Sequence, residues 1–308
     1  MRYTKIFLFS LFFGFSVFLG LLLLMDLRHL KDSLAGFHWI FFILALLLAL
    51  LNYLLRFLRW EYYLHCLKIT IDKRRSFAIF FTGLALSITP GKVGEGIKSL
   101  LLKTSSETPI VNSLPILFSE RLLDVLGVAL LLSFGLQAFQ GGFPIFLLSI
   151  GTSIFLLLLF LKGPHLLSRV PAPKRVKKWL MVFTESGGLL LSLRNFVPML
   201  LLTLLAWFSE CFAFYLILKG FEISETLLYA TFTYSLSTLA GAVTFLPGGL
   251  GATEASLFGL LLLRDIPKPL AVGSALLVRL ATLWFAVLIG GGVFLIYRKR
   301  LLPSFQVE

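Results

Sequence analysis

Apolar residues gather into six runs, at 6–25, 39–58, 112–136, 146–161, 197–218 and 270–297. Each approaches the roughly 20 residues that an α-helix needs to cross a ~30 Å hydrocarbon core, and each predicts a membrane span. Two further apolar segments, 77–103 and 227–263, are interrupted in the middle. The first break reads Thr89-Pro90-Gly91-Lys92-Val93-Gly94-Glu95, and the second reads Leu246-Pro247-Gly248-Gly249-Leu250-Gly251-Ala252-Thr253-Glu254. Both place Pro-Gly-x-aliphatic-Gly and a carboxylate inside a hydrophobic stretch. Proline removes a backbone donor and glycine weakens a helix, so such a break at bilayer depth opens the backbone toward protein or a cavity. Beyond the breaks, 96–103 would rise only ~12 Å and 252–263 only ~18 Å as helices, so neither arm crosses alone.

Composition narrows the class. With 58% hydrophobic residues, a mean hydropathy of +0.95 and 14% charged residues, the 308-residue chain reads as one all-α integral membrane domain. The run 6–25 is long enough to span. No small-residue cleavage site precedes Asp26, Arg28 and His29, so a retained first helix is expected rather than a signal peptide. Cys66 and Cys211 are expected to be reduced and inert. The histidines at 29, 38, 65 and 165 have no ligand spacing, and no nucleophile-base-acid set or nucleotide loop is present. The expectation is a non-enzyme without metal or cofactor.

Charge then sets the topology. The net charge of +13 accompanies no nucleic-acid motif, and the basic residues lie beside apolar spans. If both broken segments turn back within the membrane, only Arg28, Lys31, Lys219, Arg264 and Lys268 face outward; Lys92, Lys98, Arg121 and Arg279 lie within the bilayer. If the broken segments cross instead, the loop carrying Lys174, Arg175, Lys177 and Lys178 moves outside, against the positive-inside rule. The preferred reading is six spans plus two re-entrant hairpins, both termini cytoplasmic, in a cell (inner or plasma) membrane. The halves are then inverted: a first repeat core at 39–136 and a second at 197–297, joined by a basic connector at 162–196. Arg121 follows Pro90 by 31 residues and Arg279 follows Pro247 by 32, which supports the correspondence. Inverted repeats with discontinuous helices point to a substrate pathway at the midplane. Within the connector, 174–193 reads as an amphipathic helix anchored by Trp179, or simply as a link between halves.

Charges at bilayer depth cost several kcal/mol unless paired or hydrated. Glu120, Arg121 and Asp124 share a stripe of one helix, so Arg121 either pairs with Asp124 to lock packing or presents its guanidinium to a phosphate in a cavity. Lys92 and the backbone amides around Gly94 suit an anion. Glu95 opposes that unless it caps, pairs with a lysine or carries a proton. In the second break Gly248, Gly249 and Gly251 permit close backbone approach, and Glu254 either caps the next half-helix or takes part directly. Arg279 has no carboxylate at helical spacing, leaving Glu254 or Glu210 as its partner. Arg56, Arg59, Trp60 and Glu61 read as an interfacial end of the span 39–58, with a headgroup entry port as the alternative.

These motifs resemble the lysylphosphatidylglycerol synthase transmembrane family, the flippase-like domain. The resemblance runs from about residue 39 to 297 and rests on the first break with Leu100 to Leu102, on Glu120-Arg121 with Asp124, and on Pro247 to Glu254. It implies translocation of lipids: aminoacylated phosphatidylglycerol in its best-known members, and other anionic or polyprenyl-linked lipids in stand-alone ones. Two-domain members carry a soluble aminoacyl-transferase domain after the membrane part, whereas this sequence ends eleven residues past Tyr297, so synthase activity is not expected. The expected function is a flippase-like transporter of an anionic lipid. Its expected binding residues are Lys92, Gly94, Glu95, Glu120, Arg121, Asp124, Gly248, Gly249, Gly251, Glu254 and Arg279, and its expected partners are anionic membrane lipids and no nucleic acid. A homo-oligomer or a lipid-modifying enzyme partner stays open. A membrane-embedded enzyme, or an accessory subunit acting on lipid-linked substrates, is the alternative.

Overall fold

The computed structural model describes residues 34–89, 93–136 and 173–301, with a few isolated positions between 144 and 154. The run 6–25, the run 146–161 apart from positions 147, 151 and 154, and the residues Pro90, Gly91 and Lys92 lie outside the described residues. The described part is all-α: α1 (Trp39–Cys66), α2 (Lys73–Ala85), α3 (Ile97–Ser106), α4 (Ile110–Gly135), α5 (Lys174–Leu190), α6 (Leu193–Gly220), α7 (Leu227–Val243), α8 (Ala252–Leu262), α9 (Lys268–Arg279) and α10 (Phe285–Leu301). A five-residue π turn, Leu280–Trp284, joins α9 to α10. Among the described residues three stretches are long and apolar enough to cross a membrane, Trp39–Cys66, Leu193–Gly220 and Lys268–Arg298. The helix α4 has 26 residues but carries three charges near its middle.

The polarity of α1 is inside-out. Ile40, Ile43, Leu47, Leu51, Leu54 and Leu58 are exposed, while Asn52, Arg56 and Arg59 are buried. In lipid the tails are as apolar as leucine, so helices associate through small residues and polar contacts instead. Ala45 and Ala49 on α1 are fully buried in the contact with α6, and Asn52 Nδ2 donates to the Ala206 carbonyl at 2.7 Å. The helix runs beyond the expected span 39–58: α1 continues to Cys66, with Arg59 and Trp60 almost wholly buried. A hydropathy run stops at the first arginines; a helix does not when those arginines find carboxylates.

Both broken segments are helix pairs whose arms pack against each other, α2 on α3 and α7 on α8. The first turns through two 3-10 segments, Leu86–Ile88 and Val93–Gly96. Asp72 caps α2 by accepting from the Arg74 and Arg75 amides, and Thr226 caps α7. The second turn contains Gly248, Gly249 and Gly251, all with positive φ. Gly248 also sits where a Cβ would meet Leu283 at 3.0 Å and Ile88 at 3.4 Å. The tips of the two pairs therefore touch, and Ile88, Leu250, Leu283 and Val287 form a small apolar cluster between them. On either side lies a larger core, one built mainly around α1 and α2 with α3 and α10, the other around α6, α7, α8 and α9. The segment 174–193 is helical over Lys174–Leu190 and packs on α4, with Phe183 edge-on to Phe118. Trp179 falls among the side chains outside the described set.

Candidate functional site

Seven ionisable side chains from α1, the first hairpin and α4 form one buried network. Glu95 and Lys98 stand at the start of the returning arm, Glu120, Arg121 and Asp124 on α4, and Arg56 and Arg59 on α1. Arg121 Nη2 donates to Glu95 Oε2 at 3.0 Å and lies 3.2 Å from Asp124 Oδ2. Lys98 Nζ donates to Glu120 Oε2 at 2.6 Å, lies 3.6 Å from Glu95, and stacks over the rings of Trp60 and Phe80. Room for its stem comes from Gly83, where a Cβ would come within 2.7 Å of Lys98 Cγ. Arg59 donates to Asp124 Oδ1 at 2.9 Å and to Thr203 Oγ1 at 2.7 Å; Trp207 Nε1 also reaches Asp124. Four cations thus meet three carboxylates.

Arg56 is placed differently from the others. Its Nη2 is 3.6 Å from Asp124 and 3.9 Å from Glu95, ion-pair distances, yet among the described residues its guanidinium makes no hydrogen bond. The side chain is 8% exposed. A buried guanidinium is normally held by several directional bonds, because each unmet donor carries its desolvation cost.

The second half supplies a separate pair. Arg279 Nε donates to Glu254 Oε1 at 2.6 Å, and its Nη2 donates to the Gly248 carbonyl at 2.6 Å. Glu254 also accepts from the Gly251 amide at 2.7 Å, so it both caps α8 and pairs with the arginine. The positive φ values turn the Gly248 carbonyl toward Arg279, and the π turn begins just after that arginine. Such turns recur where a helix must aim a functional side chain. Of the two partners expected for Arg279, Glu254 is the one found; Glu210 instead accepts from Tyr234 Oη at 2.7 Å.

Both sets face a cavity of about 510 Å³ between the hairpin tips. Arg56, Arg121 and Arg279 line it, each from a different helix, with Asp124 and Glu210 as the acidic lining residues. Ser87 and Thr89 enter from the first tip, Gly248 and Gly249 from the second. Val125, Val243, Phe245 and Leu246 also line it, and all four are exposed, Phe245 to 72%. The result is an interior lined by three arginines and two carboxylates behind an apolar, open rim.

The residues singled out from sequence divide accordingly. Arg121, Asp124, Gly248, Gly249 and Arg279 line the cavity. Glu95, Glu120 and Glu254 stand behind it and hold the cations in place. The Gly94 amide donates to Thr89 Oγ1 at 2.7 Å and closes the first turn, while Gly251 caps α8. The interfacial reading of Arg56 and Arg59 is corrected, since both are drawn inward by Asp124, 65 residues beyond Arg59. The spacing of Arg56, Arg59 and Tyr63 on one helical face was the available signal. Among the described residues no group of three His, Cys, Asp or Glu side chains is arranged to hold a metal ion.

Comparison with known proteins places the chain among membrane proteins. An UPF0104 membrane protein of Methanocaldococcus jannaschii is 25% identical over 224 residues, covering 71% of this chain and 96% of the relative. Another from Pyrococcus horikoshii is 25% identical over 299 residues, covering 86% of this chain and 89% of the relative. The model of the lysylphosphatidylglycerol synthase TM region matches residues 11–290. The chain therefore belongs to the lysylphosphatidylglycerol synthase transmembrane-region family of membrane proteins.

Proposed function

We propose that this protein is a flippase-like transporter that moves an anionic lipid, phospho- or polyprenyl-linked, across the cytoplasmic membrane. The observation that carries the reading is the convergence of Arg56, Arg121 and Arg279 on one cavity whose rim is exposed and apolar. Guanidinium groups suit a phosphate because their paired donors match its oxygens. The open rim of Val125, Val243 and Phe245 lets acyl or prenyl tails stay in the bilayer while the headgroup enters. Arg56, whose Nε has no hydrogen-bond partner and whose ion pairs are long at 3.6 and 3.9 Å, receives the phosphate first. Arg121 and Arg279 bind it by sharing donors already engaged with Glu95 and Gly248.

In this reading the two helix pairs are re-entrant hairpins of inverted halves, entering from opposite sides with both termini cytoplasmic. Transport proceeds by one half rocking against the other about the tip contact of Ile88 and Leu250. The ion pairs of Glu95 and Glu120 keep the first hairpin attached to α4 while the rim on the other side is open.

The test is reconstitution into liposomes with a fluorescent phospholipid or polyprenyl phosphate, following transbilayer movement by quenching of the outer leaflet. Wild type is expected to accelerate movement, and Arg56→Ala, Arg121→Ala and Arg279→Ala each to slow it at least about tenfold, the loss of one good phosphate contact. Unchanged rates in all three variants would remove the cavity from the mechanism. Chemical change in the recovered lipid would turn the reading into that of an enzyme.

A further inference from the structure

A second basic recess lies away from the cavity, at the other ends of two helices that help to build it. The start of α2 contributes Asp72, Arg74 and Arg75, the end of α10 contributes Tyr297 and Arg300, and together they line a pocket of about 420 Å³. Lys73 and Arg298 flank it, and all five cations are exposed. Asp72 is the acidic lining residue, and its carboxylate is engaged as the cap of α2, accepting from the Arg74 and Arg75 amides at 3.1 and 3.2 Å. Among the described residues no carboxylate forms an ion pair with Arg74, Arg75, Arg298 or Arg300. The recess therefore concentrates positive charge at a helix start, where the backbone amides add to it.

Its position along α10 identifies the occupant. The stretch Lys268–Arg298 is long and apolar enough to span, so the recess lies where that span ends. One turn earlier Leu295 and Ile296 are exposed to 62% and 77%. Ile296 and Arg300 are four residues apart and Leu295 and Arg298 three apart, so apolar and cationic positions succeed each other on the same helical faces. Such an order, acyl contact then positive charge, matches a phospholipid lying along the helix, and basic recesses at membrane surfaces hold anionic headgroups.

We infer that Arg74, Arg75 and Arg300 form a binding site for the headgroup of an anionic phospholipid of the surrounding leaflet, separate from the cavity between the hairpin tips. The lipid bridges α2 and α10. These helices are already in close contact, since a Cβ on Gly290 would lie 2.5 Å from the Ala85 amide nitrogen. Because α2 leads to Ser87 and Thr89, and α10 follows the π turn and Arg279, the lipid braces the two elements that carry both sides of the cavity. This site stands independently of the transport reading, since it requires only that the protein lie in a membrane.

The experiment uses the full chain carrying a photoreactive phosphatidylglycerol, in vesicles of phosphatidylcholine with and without added phosphatidylglycerol. Cross-linked peptides are mapped, and lipid retained after detergent extraction is measured by native mass spectrometry. Cross-links are expected at residues 72–75 and 297–300, suppressed by unlabelled phosphatidylglycerol but not by phosphatidylcholine. The Arg74→Gln/Arg75→Gln/Arg300→Gln variant should retain at least tenfold less phosphatidylglycerol, while a Lys103→Gln/Lys219→Gln/Lys268→Gln control of equal charge loss retains it. Labelling that avoids both peptides, equal retention of phosphatidylcholine, or loss of the label on adding inorganic pyrophosphate alone would overturn the site; the last would make it one for a soluble phosphate. The mapping on wild type decides the matter even if the triple variant does not fold.

Discussion

At the residue scale the three cavity arginines differ in what holds them, and that separates stability from function. Arg279 is tied to a fully buried Glu254 and to a main-chain carbonyl. Removing one member of such a pair leaves an uncompensated buried charge, which costs about 3–5 kcal/mol. Arg279→Ala should therefore lower the thermal midpoint in detergent sharply, and Glu254→Gln in the same background should recover part of it. Arg56 surrenders no hydrogen bond when replaced, and Arg59, Arg121 and Lys98 still balance Asp124 and Glu95. Arg56→Gln should change stability by no more than about 1 kcal/mol while abolishing lipid movement. A strongly destabilised Arg56→Gln protein would show that this side chain is a structural ion and not a headgroup ligand.

At the element scale the hairpins depend on close backbone approach. The contact of α10 with α2 at Gly290 leaves no room for a side chain, and a Cβ would press on the Phe81 carbonyl and the Ala85 amide. Gly290→Val should cost at least about 1–3 kcal/mol by overpacking. Gly292→Ala, two residues on, meets nothing within 4 Å and should be neutral in the same thermal assay. If the two substitutions behave alike, α2 and α10 are not seated against each other at Gly290. The broken elements themselves were legible in advance from Pro90, Gly91, Pro247 and Gly248, because those residues act on their own backbone. The length of α1 was not, since whether a helix passes through Arg56 and Arg59 depends on Asp124 in another helix.

For the whole molecule the decisive feature is that both tips meet at one small cluster beside the cavity. In a protein with Cys66→Ser and Cys211→Ala, joining Ile88→Cys to Leu250→Cys with a short bifunctional thiol reagent should arrest lipid movement, and cleaving a reducible linker should restore it. Undiminished movement in the linked protein would mean that the tips never separate, and the rocking of halves would have to be abandoned. The matched spacing of Arg121 and Arg279 after the two prolines gave the first reason to bring the halves together. Their environments are nonetheless unequal: Arg121 shares Glu95 and Asp124 in a seven-member network, whereas Arg279 has one carboxylate and one carbonyl.

The sequence by itself determined the features that local chemistry and solvent dictate: a helical membrane protein, the places where its helices break, and the placing of Glu120, Arg121 and Asp124 on one stripe of a helix. Its family was legible in the same motifs, because a glycine or proline is needed wherever the backbone must open, whatever surrounds it. Only the tertiary structure decided which distant charges neutralise each other, that Arg56 and Arg59 turn inward, that Glu254 rather than Glu210 takes Arg279, and that three arginines share one cavity. The physical reason is that burying a charge is governed by partners in space. The partners of these charges lie up to 144 positions away in sequence, as for Arg59 against Thr203, and no periodicity along the chain records them.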